Sequence, residues 1–214
     1  MPKKKDKYHI LMGDVISSSD YDAGILSKNL KDLVNTANKS LKKKTLSPYT
    51  VTLGDEFQGV TSSLKSGIET LFYLEEQRLI KKYDFKLHYV LHYGKIDTPI
   101  NPETSYGMLG EGLTQARNKL TAKKHDRKRF NFDLGNEEFS IQLNRLFEVL
   151  DGITERWKPS DFELITTMIN NENDREVGEK HDKDRSQIWR RRNTLMIHEY
   201  NQLKAFIFTY IQSI

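Results

Sequence analysis

Two aspartates, each preceded by glycine at the end of an apolar run, are the residues of this chain best suited to chemistry. Asp14 closes Ile10-Leu11-Met12-Gly13-Asp14, and Asp55 stands in Thr52-Leu53-Gly54-Asp55-Glu56-Phe57-Gln58-Gly59, which reads as a short strand running into an acidic turn. If the two strands lie side by side and end together, both carboxylates point at one place. Mg²⁺ keeps several waters and is commonly held by one or two carboxylates plus substrate phosphates. Such a pair could hold two ions about 3.5–4 Å apart, one assisting deprotonation of a hydroxyl and one binding a triphosphate. Mg²⁺ or Mn²⁺ is the expected cofactor, and a nucleoside triphosphate or related nucleotide the expected partner. N–H groups at the start of the next helix bind phosphate, which nominates Val15, Ile16, Ser17 and Ser18, with Ser19 as a further hydroxyl. Gly-Asp is also a common turn dipeptide, and Asp a common helix cap. The pairing of the two motifs, more than either alone, therefore carries the metal reading.

The elements that must position these residues follow from periodicity. Tyr8 to Met12 read as a strand buried on both faces. Leu26, Leu30, Leu33, Val34, Ala37 and Leu41 fall at helical spacing after a Ser/Asp cap region. Tyr49, Val51 and Leu53 share one strand face, and Phe57 and Val60 belong to the returning strand of a hairpin. A helix starts at Ser62 or Ser63, and Phe85, Leu87, Tyr89 and Leu91 alternate as a further strand. Beyond a loop from Asp97 to Gly112 come a helix carrying Leu113, Ala116, Arg117 and Leu120, a strand at Phe130–Leu134, and a helix from Phe139 to Leu150. The order β-α-β-β-α-β-α-β-α predicts an α+β sandwich, ferredoxin-like, with helices on one face of a mainly antiparallel sheet. This unit is expected over residues 1–152. His88 and His92 lie about 13 Å apart along a strand, too far to share one ion, and read as exposed strand-face histidines.

From Gly152 to Pro159 the texture changes, and a small all-α unit is expected over residues 156–214. Ser160-Asp161-Phe162-Glu163 has the pattern of a capping box. A helix, a short helix, a turn at His181–Asp184 and a longer helix then give the organisation of a helix-turn-helix. Ser186, Gln187, Arg190 and Arg191 would face DNA phosphates or base edges while Ile188 and Leu195 face inward. Residues 151–214 hold 10 Lys/Arg against 11 Asp/Glu, so the charge footprint expected of a DNA reader is weak and a protein-contact role stays open. The final stripe, Leu203, Phe206, Ile207, Tyr210 and Ile211, reads as core or as the seam of a homodimer.

Composition bounds the rest. The chain has 214 residues, 36% hydrophobic and 30% charged, with no cysteine. Disulfides and thiolate metal sites are excluded, and a reducing cytoplasm is the expected location. No apolar run approaches the roughly 20 residues that span a bilayer, so no membrane role is expected. The net charge of +4 is uneven. Lys3, Lys4, Lys5 and Lys7 crowd one end, and seven Lys/Arg fall between Arg117 and Arg129, either a solvated loop or a polyanion contact.

Gly13-Asp14, Thr52-Leu53-Gly54-Asp55 and Ala116-Arg117 together resemble the class III nucleotide cyclases, and Gly54-Asp55-Glu56-Phe57 is similar to the turn of the diguanylate cyclases, which share that palm-like fold. G-D-V-I-S-S, T-L-G-D-E-F-Q-G and the terminal helices resemble the bacterial SatD-like family over nearly the whole chain. The cyclase resemblance implies Asp14 and Asp55 as metal ligands and Arg117 as the group that stabilises charge on the transferring phosphoryl. A salt bridge or a solvated helix face is an equal reading of Arg117. The cyclase transition-state asparagine falls on Leu113 and the base-selecting lysine on Tyr49, so turnover is less expected than binding. The expected function is nucleotide- and metal-dependent regulation coupled to DNA binding. The alternatives are an active nucleotidyl cyclase-type enzyme and a non-catalytic protein-interaction adaptor.

Overall fold

The structure, a computed structural model, describes residues 6–122 and 128–212. Lys3, Lys4 and Lys5, and the middle of the basic cluster at 123–127, lie outside the described residues. The chain is mixed α+β, with five strands and eight α-helices among the described residues. It divides into two compact units. One runs to Leu74 and takes in Phe85–Asn144, and the other combines Glu75–Asp84 with the chain from Arg145 onward.

In the first unit β1 (Lys7–Val15), β2 (Thr45–Val51), β3 (Glu56–Thr61), β4 (Leu87–Lys95) and β5 (Phe130–Asp133) form one sheet of order β2-β3-β1-β4-β5. Only β4 and β5 pair in parallel. The helices α1 (Ala23–Ser40), α2 (Leu64–Ile80), α3 (Glu111–Ala122) and α4 (Glu137–Thr154) alternate with them in the predicted order, the parts of α2 and α4 beyond Leu74 and Asn144 belonging to the second unit. The first four strands have the order that a split β-α-β arrangement generates.

Strand residues point alternately to the two faces, and the register fixes which side chains share one. Leu11, Tyr89 and Leu91 lie on the face that meets α2, whose Gly67 sits against Leu91. Tyr49 belongs there as well, its hydroxyl donating to Thr70 of α2 at 2.9 Å and its backbone held by Asn38 of α1. Ile10, Met12, Val60 and Val90 form the opposite face and are covered by Ile96, Met108, and Ala116 and Leu120 of α3. The expectation of helices on one face is therefore corrected. Periodicity tells which side of α3 is apolar but not which side of the sheet it covers.

Close approach of α3 to the sheet depends on glycine. A Cβ on Gly112 would stand 2.6 Å from the Gly94 carbonyl carbon and 2.7 Å from the Lys95 nitrogen. Backbone cannot move aside as a side-chain tip can. Gly112→Ala should therefore cost about 3 kcal/mol, read as a lowered urea midpoint; an unchanged midpoint would mean that α3 is not seated this closely.

The second unit holds α5 (Phe162–Asn170), α6 (Asp174–His181), α7 (Arg185–Thr194) and α8 (Ile197–Tyr210). Ile165, Met168, Val177, Ile188, Leu195, Ile197 and Tyr200 make its core. Trp157 donates from its indole nitrogen to the Leu195 carbonyl at 2.8 Å and packs against the Tyr200 ring. Within the terminal stripe Ile207 and Ile211 are buried, but Phe206 is 54% exposed and stacks on Tyr210. The stripe is thus only partly core.

Candidate functional site

The two Gly-Asp pairs do different structural jobs. Gly13 lies inside β1, where the Phe57 ring occupies the space a side chain would need. Gly54 takes φ +86, a left-handed conformation that glycine adopts without steric cost, and so shapes the hairpin turn ahead of Asp55. The turn is tied to β1 because the Val15 amide donates to the Asp55 carbonyl at 3.0 Å. The two motifs are thus linked through the backbone.

Asp14 is 4% exposed, and its Cα is paired with Glu56 on one side and His88 on the other. Glu56, Asp14 and His88 therefore rise side by side from three adjacent strands, on the α3 face of the sheet. Glu56 is committed elsewhere: its carboxylate accepts from Arg117 at 2.7 Å and from the Thr52 hydroxyl at 3.2 Å. Glu56 carries no motif of its own, and the expectation of exposed strand-face positions for His88 and His92 is corrected. Both histidines are buried, at 7% and 4% exposure, because α3 covers their face of the sheet. The cross-strand register that sets His88 beside Asp14 leaves no local sequence signal.

A cavity of about 320 Å³ opens at this end of β1, lined by Asp14, Val15, Ile16, Ser17, Ser18, Ser19 and His88. All four residues expected to meet phosphate are in its wall, but their amides differ. Val15 donates to Asp55 and Ile16 to the Lys86 carbonyl at 2.9 Å, which commits these two N–H groups. A three-residue 3-10 turn, Ser18–Asp20, intervenes before α1, and the Asp22 side chain caps α1 by accepting from Ile25. The start of α1 thus carries its own carboxylate, and the serine hydroxyls of residues 17–19 are the polar side chains that the loop presents.

The donor set suits a hard cation. Among the described residues no three His, Asp or Glu side chains converge tightly enough to enclose a metal. Asp14 is the one carboxylate among the described residues of the cavity wall, and Asp55 stands in the adjoining turn. One or two such carboxylates are what commonly hold a hard ion such as Mg²⁺, which completes its shell with water and phosphate oxygens. They do not fit a closed, all-protein site.

Arg117 lies on α3, nearly half exposed, with its guanidinium on Glu56. The salt-bridge reading of this residue is what the geometry contains, and the bridge holds it beside the Asp14 row. Leu113 packs against the core cluster beneath α3. Tyr49 is 3% exposed on the other face of the sheet, and burial pushes its phenol up, only partly offset by the bond to Thr70. Neither position can supply the cyclase groups aligned with it.

A second polar group stands at the far end of the same face. His92 approaches Asp133 at 3.1 Å, and Lys119 binds the same carboxylate at 3.0 Å. Burial raises the Asp133 carboxyl, but Lys119 and then His92 outweigh it and hold the group below its ordinary value. Of the basic cluster, Arg117 and Lys119 are thus ion-paired, and Arg129 is buried with its Nε on the Leu87 carbonyl.

In the helical unit, α6 and α7 are joined by Asp182, Lys183 and Asp184, with Asp182 in the left-handed region. Gly178 of α6 lies directly against the Lys183 carbonyl. Asp184 caps α7 in a reciprocal capping box with Gln187, and Ser186 donates to the same carboxylate. Arg191 is ion-paired with Asp161. Arg190 is exposed and folds back onto Ser186. Of the four residues expected to meet DNA, Gln187 and Ser186 therefore serve the cap and Arg191 an ion pair. Trp189, 58% exposed between them, was not singled out from sequence.

The Ser186 hydroxyl and then the Gln187 amide hold the Asp184 carboxyl below its ordinary value. A carboxyl lowered by folding stabilises the fold above its unfolded value of about 3.9 and loses that contribution as pH falls through the folded value. Asp184→Asn keeps a capping acceptor and should flatten the acid-side loss of stability, as followed by tryptophan fluorescence. An unchanged acid profile would remove Asp184 as its source.

A split β-α-β sheet with a carboxylate-walled cavity at the end of its first strand, continued by four helices, defines an α+β protein of two units. The chain belongs to the SatD family, whose model matches residues 8–202. No curated protein matches it. Two structures of a bacterial light-regulated adenylyl cyclase are similar to it, each at 13% identity and a TM-score of 0.44, over 59% of this chain and 43% of the cyclase chain. The chain thus spans less than half the length of those structures. No helix of the described residues is long and apolar enough to cross a membrane.

Proposed function

We propose that this chain is a metal- and nucleotide-binding regulatory protein, with a cyclase-like palm unit as the sensor and a helix-turn-helix unit as the DNA-binding output. The observation that carries the reading is the cavity walled by Asp14 and Ser17–Ser19, with the Asp55 turn tied to β1 beside it. Asp14 and Asp55 would hold Mg²⁺ or Mn²⁺, which supplies charge neutralisation and a template for phosphate oxygens. The serine hydroxyls would donate to the phosphate chain. In the helical unit the three-residue α6–α7 turn supports the helix-turn-helix reading, with Arg190 and Trp189 as the exposed reading side chains.

DNA binding is tested by fluorescence anisotropy with a labelled random-sequence duplex over a salt series. Arg190→Ala should weaken binding and reduce the slope of log K against log salt by about 1. Equal slopes for both proteins would remove Arg190 from the interface. Paired half-sites need two copies, for which Phe206 and Tyr210 are the proposed contact; sedimentation of the wild type and Phe206→Glu as identical monomers would reject it.

A second reading, a nucleotidyl cyclase-type enzyme, rests on the placement of the nearly half-exposed Arg117 beside the Asp14 row. Arg117→Ala separates the two. In a sensor it leaves nucleotide affinity within a few-fold, whereas in an enzyme it lowers product formation by ~10²–10³.

A further inference from the structure

We infer that the Asp14 cavity recognises the metal-bound phosphate chain of its ligand and is indifferent to the base. The inference rests on the nucleotide reading above and narrows it to a ligand class: magnesium polyphosphates, with nucleoside triphosphates of any base as members.

Three observations converge on it. The lining of the cavity is one carboxylate, three serines, two aliphatic residues and one imidazole, and it contains no Asn, Gln, Arg, Lys or carbocyclic aromatic side chain among the described residues. Reading a base takes hydrogen bonds matched to its edge, and stacking on an aromatic or guanidinium plane adds to them. Hydroxyls and a carboxylate-held cation are instead what phosphate oxygens require. Size is the second observation. At about 320 Å³ the cavity stands at the bottom of the roughly 300–1,000 Å³ range of small-molecule sites. At that size it suits a phosphate chain with its cation better than a whole nucleoside triphosphate.

The third observation is the side of the sheet on which the neighbouring aromatic rings lie. Tyr49 is on the opposite face of the sheet from Asp14, locked to Thr70 and packed edge-on to Phe57. No side-chain rotation brings it through the sheet to the cavity. His88 is the one ring in the wall, and it rises from the strand beside Asp14. Its place is next to the proposed cation and phosphates, where an imidazole donates to phosphate oxygen.

The test is titration calorimetry of the full chain with the magnesium complexes of ATP, GTP, CTP and inorganic triphosphate, each repeated with Asp14→Asn. The expected result is four dissociation constants within about tenfold of one another, all lost in the variant. A site that hydrogen-bonds its base would discriminate by up to ~10⁴. A hundredfold preference for one nucleotide would overturn base indifference while leaving nucleotide binding intact. Binding of nucleotides without inorganic triphosphate would do the same. Four silent titrations would overturn the nucleotide reading itself, and this inference with it.

Discussion

Asp14→Asn is expected to weaken magnesium-dependent nucleotide binding by about 100-fold or more. Removing even an outer partner of a metal ligand costs 10–100-fold in affinity, and Asp14 is proposed as a ligand itself. The substitution changes charge with almost no change in shape. Asp14 is buried at the end of a strand paired on both sides, so an amide there meets the same backbone and the sheet stays intact. Calorimetry with MgATP reads the affinity, and the urea midpoint of the same preparation reads the fold. Lost binding with an unmoved midpoint is the predicted pair of results. Unchanged binding would take Asp14 out of the site.

Arg192→Ala should destabilise the helical unit by about 3 kcal/mol. Arg192 is the one arginine of α7 whose guanidinium is satisfied from three sides. It donates to Asp174 at 2.7 Å, to the Met168 carbonyl at 2.9 Å and to the Asn171 carbonyl at 2.9 Å, with its side chain only 12% exposed. Truncation leaves a nearly buried Asp174 carboxylate and two carbonyls that end α5 without their donor. Arg192→Lys should recover only part of the loss, since one ammonium cannot reproduce the planar fork. Both tryptophans of the chain, Trp157 and Trp189, lie in this unit. Urea unfolding followed by tryptophan fluorescence therefore reports on it specifically. A midpoint matching wild type would show that the three bonds contribute nothing net.

Much of the first unit was legible from sequence because its signals are local. The alternation Phe85-Leu87-Tyr89-Leu91 marks a strand wherever it sits, although observed β4 runs on from Leu87 to Lys95. Gly54 with its positive φ marks the hairpin, and the serines before α2 include its cap, Ser63, which accepts from Ser66. What stayed hidden depends on register and on facing. Nothing near His88 in the sequence says that Asp14 is its cross-strand partner, and nothing near Ala116 says that α3 covers the face opposite α1 and α2.

The candidate site divides the same way. The Gly-Asp motifs nominate Asp14 and Asp55 from sequence, although only Gly54 carries a backbone signal and Gly13 is there to admit the Phe57 ring. The N–H groups of Val15 and Ile16 were misjudged because their acceptors, Asp55 and Lys86, come from other strands and turns. Gln187 is a different case: Asp184-Arg185-Ser186-Gln187 has the spacing of a capping box, a local signal that competes with the expectation of DNA contact and that the structure follows.

The most direct test of the central claim is calorimetric titration of the purified chain with ATP and GTP, with and without Mg²⁺, beside Asp55→Ala. Asp55 lies in an exposed-to-half-buried turn and holds β1 through its carbonyl, which alanine retains, so the variant removes the carboxylate alone. The account predicts binding that requires Mg²⁺ and disappears in the variant. Binding that persists without the metal, survives in Asp55→Ala, or is absent from the wild type would contradict it.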